Sequence, residues 1–521
     1  MGNKSGASNK EANTKIVGAA LAEVLPDTGK WWWQQPHLLS LNLRLGVLLM
    51  SSSVMGYDGS LMNGLQTLPQ WAHDFNNPQG TTLGLVNAAM VIGTIIAQLV
   101  VSQLADRFGR RLPIAIGALG TVIATIIQIF SVNYAMFVVS RGLLGAFSGL
   151  MLSPSALLIT ELAYPTHRGK ITSMFFTLYY LGAILASWIT FGTQNLAGAL
   201  AWRIPTVFQG VLPLTQLLLL WFVPESPRWK IAHDRIAEAQ TVLAKYHDPT
   251  PASALVAREM SEIVESIRME QDAKNTSWSA LVATPGNRKR LAITLIVGVF
   301  AQFNGIALTS YYLTKVLASV GITSPFDQNL INGALQIFNF AAALSAAFLV
   351  DRLGRRTIWL TSVIGMLVSY VGWTACSAVN NETGNSGAGV AVVVFIFIVY
   401  YFYDIAWTPL LVAYPAEIWT YSLRAKGMAV EIFFNSCSLL IAQFANPVGM
   451  ETLGWKFYIV YVAILCVILT LIYFLFVETK GYSLEEIAVI FDGEKAETSL
   501  AADKRLEAVA AEHKEDATKA V

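Results

Sequence analysis

Charged residues are scarce in this sequence. Only 13% of its 521 residues are Asp, Glu, Lys or Arg, and 54% are hydrophobic, whereas a soluble globular domain averages about 25% charged residues. This composition excludes an ordinary soluble domain and indicates a protein that crosses a membrane many times. The basic and acidic residues nearly balance, at 35 and 34, so the net charge gives no reason to expect nucleic acid as a partner.

Cysteine is scarce too. Cys376, Cys437 and Cys466 all lie inside apolar runs, with neither the spacing of a metal site nor that of a disulfide framework. The sequence also lacks a phosphate-binding loop and a paired nucleophile and base. We therefore expect no metal, no cofactor and no enzymatic activity.

Long apolar runs are what the sequence does contain. A membrane-spanning helix needs about 20 mostly apolar residues, and six such runs stand on either side of a polar stretch whose own apolar residues recur at helical spacing. The approximate runs are 39–62, 83–104, 112–131, 134–160, 172–192, 206–223, 291–317, 328–350, 357–379, 389–413, 427–447 and 455–477. We predict an all-α membrane protein with twelve transmembrane helices in two six-helix bundles and a cytosolic helical insert.

The runs also predict how the chain is divided. The division is a cytosolic N-terminal tail (1–37), an N-terminal six-helix bundle (38–223), a cytosolic helical linker (224–290), a C-terminal six-helix bundle (291–480) and a cytosolic C-terminal tail (481–521). Lys and Arg are concentrated in alternate short loops, which places both termini and the linker in the cytosol. Asn381, in a glycosylation sequon, would then lie outside, where it can be glycosylated.

Two of the basic loops carry nearly the same string. Residues 106–111 read Asp-Arg-Phe-Gly-Arg-Arg, and residues 351–356 read Asp-Arg-Leu-Gly-Arg-Arg. Each follows the second span of its half. Any cytosolic loop can be basic, but that alone predicts charge and not a shared string. A duplicated six-span half, with the substrate held between the halves, is a transporter architecture.

Arginines and carboxylates near these loops predict a gate at the cytosolic ends of the spans. Arginine can form bidentate pairs with carboxylates, and such pairs would hold the two halves together when the transporter is closed inside. The predicted gate residues are Asp106, Arg107, Arg110, Glu161, Arg168, Glu225, Arg228, Asp351, Arg352, Arg355, Glu417 and Arg424.

Asp58 stands near the end of the first apolar run. A carboxylate at mid-bilayer costs about 2.5–3.5 kcal/mol on insertion scales, so we expect it to face the protein interior or an aqueous path. Arg141 in the fourth run is its predicted partner and would favour its charged form. Uptake of a proton when the pair separates would couple proton movement to transport. The alternative is a structural ion pair.

Several strings resemble the sugar porter family of the major facilitator superfamily, in its fungal branch. They are Gly-Tyr-Asp at 56–58, the loops at 106–111 and 351–356, Arg-Gly at 141–142, Pro-Glu-Ser-Pro-Arg-Trp at 224–229, Gln302 with Gly305 before the tyrosines at 311–312, and Val-Glu-Thr-Lys-Gly at 477–481. The resemblance covers about residues 40–490. It implies the fold of that superfamily, alternating access by two bundles, and a sugar as the substrate.

The resemblance also implies where the sugar binds. Sugar hydroxyls both donate and accept hydrogen bonds, so amides and aromatic faces are expected around them. For each amide the alternative is a hydrogen bond between helices. Tyr180 stands where the family often has glutamine, and Glu431 is an unusual acid, so the identity of the sugar stays open. The predicted substrate-binding residues are Tyr180, Gln302, Asn304, Tyr311, Tyr312, Asn339, Trp407, Asn435 and Glu431.

We therefore predict a sugar transporter of the plasma membrane that works by alternating access. The favoured form is a proton-coupled symporter for a hexose, with a pentose or a disaccharide such as lactose or cellobiose as alternative substrates. Its partners would be the sugar, a proton and membrane lipid. An uncoupled sugar facilitator is the alternative. A non-transporting sugar sensor is less favoured, because such sensors carry long signalling tails and only about 40 residues follow Gly481.

Overall fold

A computed structural model describes residue 21 and residues 23–26, 30–274, 277–480 and 484–493. Helices account for most of these residues, and no strand occurs among them. Most of the two predicted tails, 1–37 and 481–521, lies outside the described residues.

Six long helices precede the linker. Their bounds are Pro36–Leu65 (α1), Gly80–Phe108 (α2), Arg111–Ile129 (α3), Tyr134–Leu162 (α4), Pro165–Thr193 (α5) and Leu200–Phe222 (α6). Each is long and apolar enough to cross a membrane. α5 is interrupted at Leu178 and α6 at Gly210. Together the six helices form the N-terminal half.

Six more long helices form the C-terminal half. Their bounds are Pro285–Ser319 (α7), Pro325–Leu353 (α8), Arg355–Thr383 (α9), Ser386–Ile418 (α10), Tyr421–Leu453 (α11) and Phe457–Leu475 (α12). One continuous apolar segment, Ser422–Leu475, contains nearly all of α11 and the whole of α12. The predicted all-α architecture of twelve transmembrane helices is confirmed.

The polar stretch between the halves forms the short helices Pro227–Ala232, Ile236–Tyr246, Ala254–Lys274 and Ala280–Ala283. A buried contact fixes the stretch beneath the N-terminal half. The His247 ring lies 2.8 Å from the Glu259 carboxylate through Nδ1, and 3.0 Å from the main-chain oxygen of Leu162 at the end of α4 through Nε2. We call this side of the molecule the linker end, and the other side the opposite end.

Glycines allow α1 and α5 to approach closely inside the N-terminal half. A Cβ on Gly56 would lie 1.8 Å from the main-chain oxygen of Tyr179, and a Cβ on Gly182 would lie 1.8 Å from that of Ser53. Small residues at such contacts let helix backbones pack against each other. The contact fixes the position of the tyrosine pair at 179–180 relative to α1.

α7 breaks in its middle, at Asn304 and Gly305. Gly305 has a φ of 98°, in the left-handed region that favours glycine. The Asn304 side-chain oxygen accepts a hydrogen bond of 3.0 Å from the main-chain N–H of Ile306, which begins the second part of the helix. Tyr312 adds a second kink, with φ −135° and ψ 28°. The break at Asn304 and Gly305 divides α7 into two parts, and the kink at Tyr312 bends the second part.

The two halves meet mainly along α2 against α11 and α5 against α8, with α1 against α7 as a smaller contact. The two main contacts are equivalent to each other, because α8 and α11 occupy in the C-terminal half the positions of α2 and α5 in the N-terminal half. This symmetry is expected of a duplicated architecture. It leaves space between the halves near the middle of the long helices.

Candidate functional site

A cavity of about 280 Å³ lies between the halves, near the lower end of the range of about 300–1,000 Å³ for ligand pockets. Residues of α1, α5, α7, α8 and α10 line it, and we call it the central cavity. Its lining includes many aromatic rings and side-chain amides, namely Tyr179, Tyr180, Tyr311, Tyr400, Tyr403, Trp407, Gln302, Gln336 and Asn339.

Five of the predicted substrate-binding residues line the central cavity, namely Tyr180, Gln302, Tyr311, Asn339 and Trp407. Asn339 is buried, and neither Nδ2 nor Oδ1 has a hydrogen-bond partner among the described residues. The indole nitrogen of Trp407 likewise has no partner there. Leaving a buried polar group unpaired is costly. These atoms are therefore available to a ligand that both donates and accepts hydrogen bonds.

The Trp407 ring is held in place by other aromatic rings. Trp359 packs against it edge-on, with 4.7 Å between ring centroids, and Tyr403 lies parallel to it at 6.3 Å. Such contacts fix the orientation of an aromatic side chain. Trp407 therefore presents a rigid apolar face to the central cavity.

Asn304 and Tyr312 lie elsewhere. Asn304 is buried at the break of α7 and caps the second part of that helix. The Tyr312 hydroxyl donates a hydrogen bond of 2.7 Å to the main-chain oxygen of Gln443 in α11. The lining of the central cavity includes neither residue, so the structure gives both a role in helix geometry and packing.

Asn435 and Glu431 belong to a second cavity of about 200 Å³ between α2 and α11, which we call the lateral cavity. Asn435 connects the two cavities, because its Oδ1 accepts a hydrogen bond of 2.8 Å from Nε2 of Gln302. Glu431 is buried, and its Oε1 has no partner in the described part of the chain.

Asp58 is fully buried inside the N-terminal half. Arg141 is equally buried and lies next to it, but its Nη1 donates to the main-chain oxygen of Asp58, at 3.2 Å. The Asp58 carboxylate instead accepts a hydrogen bond of 2.6 Å from Nε2 of Gln209 in α6. Gln209 was not predicted from the sequence, although an amide inside an apolar run was a signal for it.

A second buried acid, Asp404 of α10, contacts the other half directly. Its Oδ1 accepts hydrogen bonds from Tyr180 Oη of α5 at 2.5 Å and from Thr408 Oγ1 at 2.8 Å. Its Oδ2 has no partner among the residues that the structure describes. Since Tyr180 and Thr408 both line the central cavity, this acid lies directly behind the cavity wall.

Hydrogen bonds join the halves at the opposite end of the central cavity. Asn63 of α1 donates a bond of 2.6 Å to the main-chain oxygen of Ser310, and Gln66 donates one of 2.9 Å to that of Tyr311. Asn329 of α8 donates to Thr67 at 2.7 Å. The cavity is therefore closed toward the opposite end. The sequence analysis assigned no role to these amides at the ends of the spans.

The charge clusters at the linker end follow the predicted repeat closely. In the N-terminal half, the Arg110 guanidinium forms two bonds of 3.1 Å with the Glu161 carboxylate. Glu225 accepts from the main-chain N–H groups of Arg110 and Arg111, at 3.0 and 3.1 Å. We call this the N-terminal charge cluster.

The C-terminal half contains the equivalent arrangement. Arg355 contacts Glu417 at 3.1 Å, and Glu478 accepts from the main-chain N–H groups of Arg355 and Arg356, at 2.7 and 3.1 Å. We call this the C-terminal charge cluster. Glu478 lies in the Val-Glu-Thr-Lys-Gly string at 477–481 but was not among the predicted gate residues. Among the described residues, the bonds of each cluster given above lie within its own half, whereas the sequence predicts bonds that hold the two halves together.

The remaining predicted gate residues are more scattered. Asp106 is exposed and lies 3.6 Å from Arg110, and Arg107 and Arg168 are exposed at the linker end. Arg228 contacts Glu270 of the linker at 2.5 Å, and Arg424 donates to the main-chain oxygen of Trp419 at 3.4 Å. The side chains of Asp351 and Arg352 lie outside the described residues. Asn381 is exposed near the end of α9.

Comparison with known proteins gives consistent matches along the chain. Residues 46–491 match the family model described as sugar (and other) transporters. The chain is 30% identical over 449 residues to the MFS-type transporter oryC of Aspergillus oryzae, and the aligned region covers 84% of this chain and 82% of that protein. It is 28% identical over 485 residues to a high-affinity glucose transporter of Kluyveromyces lactis, covering 88% and 86%.

A solved structure of the E. coli transporter XylE has the same overall fold. That structure, described as a proton:xylose symporter bound to 6-bromo-6-deoxy-D-glucose, superposes with a TM-score of 0.70 at 20% identity. The match covers 87% of this chain and 99% of that one.

Proposed function

Because the chain belongs to the sugar (and other) transporter family, and is therefore a multi-pass membrane transporter and not an enzyme, we propose that it carries a hexose together with a proton. The chain is a sugar porter with the twelve-helix fold of the major facilitator superfamily. The observation that carries the substrate proposal is the buried, unpaired amide of Asn339 beside the fixed ring of Trp407 in the central cavity. A pentose and a disaccharide are the alternative sugars.

Within the proposed site, the amides and the aromatic rings have different tasks. Gln302, Gln336 and Asn339 come from α7 and α8 and offer donors and acceptors to sugar hydroxyls. Trp407 offers its face to the apolar side of the ring. Tyr180 is the contribution of the N-terminal half. The sugar would thus contact both halves, which lets its binding favour one arrangement of them over another.

Alternating access follows from the closure of the opposite end. The hydrogen bonds from Asn63 and Gln66 to α7 hold that end shut, and they would break when the halves rotate to open it. The two charge clusters would then act as braces that keep each half rigid during the rotation. If the linker end faces the cytosol, as the loop charges predict, this arrangement is closed to the outside.

Proton coupling is proposed for Asp58. Gln209 donates a hydrogen bond to its carboxylate, and Arg141 lies next to it in the same half. Gly59 and Ser60, which follow it in α1, line the central cavity, so a movement of α1 on sugar binding would disturb this environment. The name of the structural neighbour XylE as a proton:xylose symporter supports the proposal. We also propose a plasma-membrane location with cytosolic termini, and glycosylation of Asn381.

An uncoupled facilitator is the second candidate. Asp58 accepts a hydrogen bond from Gln209 and is not part of the lining of the central cavity. Such a placement favours a structural role for this residue. The two candidates differ in whether a pH gradient drives uptake. The test is uptake of radiolabelled glucose by proteoliposomes that contain the full chain, with and without an imposed inward proton gradient. We expect glucose to accumulate only with the gradient, and a protonophore to abolish the accumulation. Uptake that equilibrates equally under both conditions would establish the facilitator.

A further inference from the structure

The central and lateral cavities adjoin each other. The side chains of Met55, Leu152, Tyr311, Leu411 and Leu439 line both cavities. The hydrogen bond between Gln302 in the central cavity and Asn435 in the lateral cavity crosses the same boundary. These shared side chains and this hydrogen bond form the boundary that a ligand in the central cavity would have to displace to reach the lateral cavity.

The lateral cavity contains a buried acceptor that the fold does not use. Glu431 has an exposed fraction of 1%, and Oε1 has no hydrogen-bond partner among the described residues. Intramembrane acids are costly and usually functional. No helix break or cap depends on this residue, since it lies within the continuous helix α11.

The surroundings of Glu431 indicate what kind of group would bind it. The nearby polar side chains are uncharged, namely Asn87, Thr94 and Gln98 of α2 and Asn435 and Ser436 of α11, and the rest of the lining is largely apolar. The Ser436 hydroxyl of α11 already donates a hydrogen bond of 3.3 Å to the side-chain oxygen of Gln98 in α2. A carboxylate with amides around an apolar pocket suits a neutral group that carries several hydroxyls, in the same way as the central cavity does.

We propose that the lateral cavity is a second sugar subsite, and that beside the hexose the chain transports a disaccharide with one ring in each cavity. Glu431 would accept hydrogen bonds from hydroxyls of the second ring. The central cavity has a volume of about 280 Å³ and the lateral cavity one of about 200 Å³, so each would take one of the two linked rings. This inference rests on the proposed function, because it takes the central cavity as the sugar site and specifies what else enters the space beside it.

The test compares one ring with two. Proteoliposomes containing the full chain are assayed for uptake of radiolabelled glucose and of four radiolabelled disaccharides of glucose, namely cellobiose, maltose, lactose and sucrose. We expect at least one disaccharide to have a half-saturation concentration about tenfold below that of glucose, because the second ring adds hydrogen bonds to the buried carboxyl group of Glu431.

Variants at Glu431 show whether the second subsite is responsible. Glu431→Ala should raise the half-saturation concentration for the disaccharide about tenfold more than for glucose. Glu431→Gln keeps an acceptor oxygen in the same place and should retain most of the preference. Ser438→Ala is the matched control, because Ser438 is buried in the same helix and is not part of the lining of either cavity.

The outcomes separate this inference from the proposed function. Uptake of glucose with no uptake of any disaccharide overturns the inference and leaves the proposed function standing. Uptake of a disaccharide without glucose supports the inference and overturns the hexose assignment. Uptake of neither overturns both. An equal effect of Glu431→Ala on both sugars would show that Glu431 is not a sugar acceptor.

Discussion

The Tyr180 hydroxyl of α5 donates a hydrogen bond of 2.5 Å to the Asp404 carboxylate of α10, and this bond connects the two halves at the wall of the central cavity. Removing the donor from such a buried hydrogen bond costs about 1–3 kcal/mol. Since the two residues belong to halves that must move relative to each other, this bond stabilises one arrangement over others.

The first prediction concerns the loss of that bond. Tyr180→Phe removes the hydroxyl and keeps the ring, and we expect the initial rate of sugar uptake to fall about tenfold, because the arrangement described above loses about 1.4 kcal/mol or more. The measurement is zero-trans uptake at saturating sugar, normalised to the amount of protein. Tyr179→Phe is the control, since Tyr179 lines the same cavity one position earlier. Equal effects of the two changes would show that the bond to Asp404 has no special part in transport.

The second prediction concerns Asp58. Asp58→Asn removes the titrating group but can still pair with Gln209, so we expect the protein to fold and to exchange sugar across the membrane without concentrating it. The measurements are accumulation under an inward proton gradient and counterflow at equal pH. Accumulation that matches the unmodified protein would contradict the proposed coupling. Asp58→Ala would not serve here, because it also leaves Gln209 without its partner inside the half.

Much of the architecture could be predicted from the sequence because it depends on local or repeated patterns. Length and apolarity of the runs predicted twelve helices, and the repeated loops predicted equivalent positions in the two halves. The partners within the site depend on helix rotation and packing, which these patterns do not determine. This is why Gln209 was not predicted as the partner of the Asp58 carboxylate, and why the hydrogen bond that Asn304 makes at the break of α7 was not predicted either.

The third prediction separates binding from structure at two asparagines. Asn339→Ala removes an amide that has no partner within the described residues, so we expect weaker sugar binding with little change in melting temperature. Asn304→Ala leaves the buried main-chain N–H of Ile306 without its acceptor, so we expect a loss of stability of about 1–3 kcal/mol. The half-saturation concentration should rise about tenfold for Asn339→Ala and much less for Asn304→Ala. The opposite pattern would mean that the amide of Asn304 contacts the sugar.

The fourth prediction concerns the two charge clusters at the linker end. Glu225 and Glu478 each accept two main-chain N–H groups at the turn between consecutive helices, in opposite halves. Glutamine offers one acceptor oxygen in place of two, so Glu225→Gln and Glu478→Gln should each lower thermal stability, by about 1–3 kcal/mol for the N–H group left unpaired. The measurement is the melting temperature of the purified protein in detergent.

The double variant decides whether the clusters brace separate halves or join them. Effects at distant sites without shared partners add, so the loss of stability in the double variant should equal the sum of the single losses if each cluster closes within its own half. A double loss clearly smaller than that sum would mean that the clusters act as one latch between the halves. Glu238→Gln in the linker is a suitable control, since Glu238 is exposed and pairs with Arg235 and Lys230, and exposed ion pairs contribute little to stability.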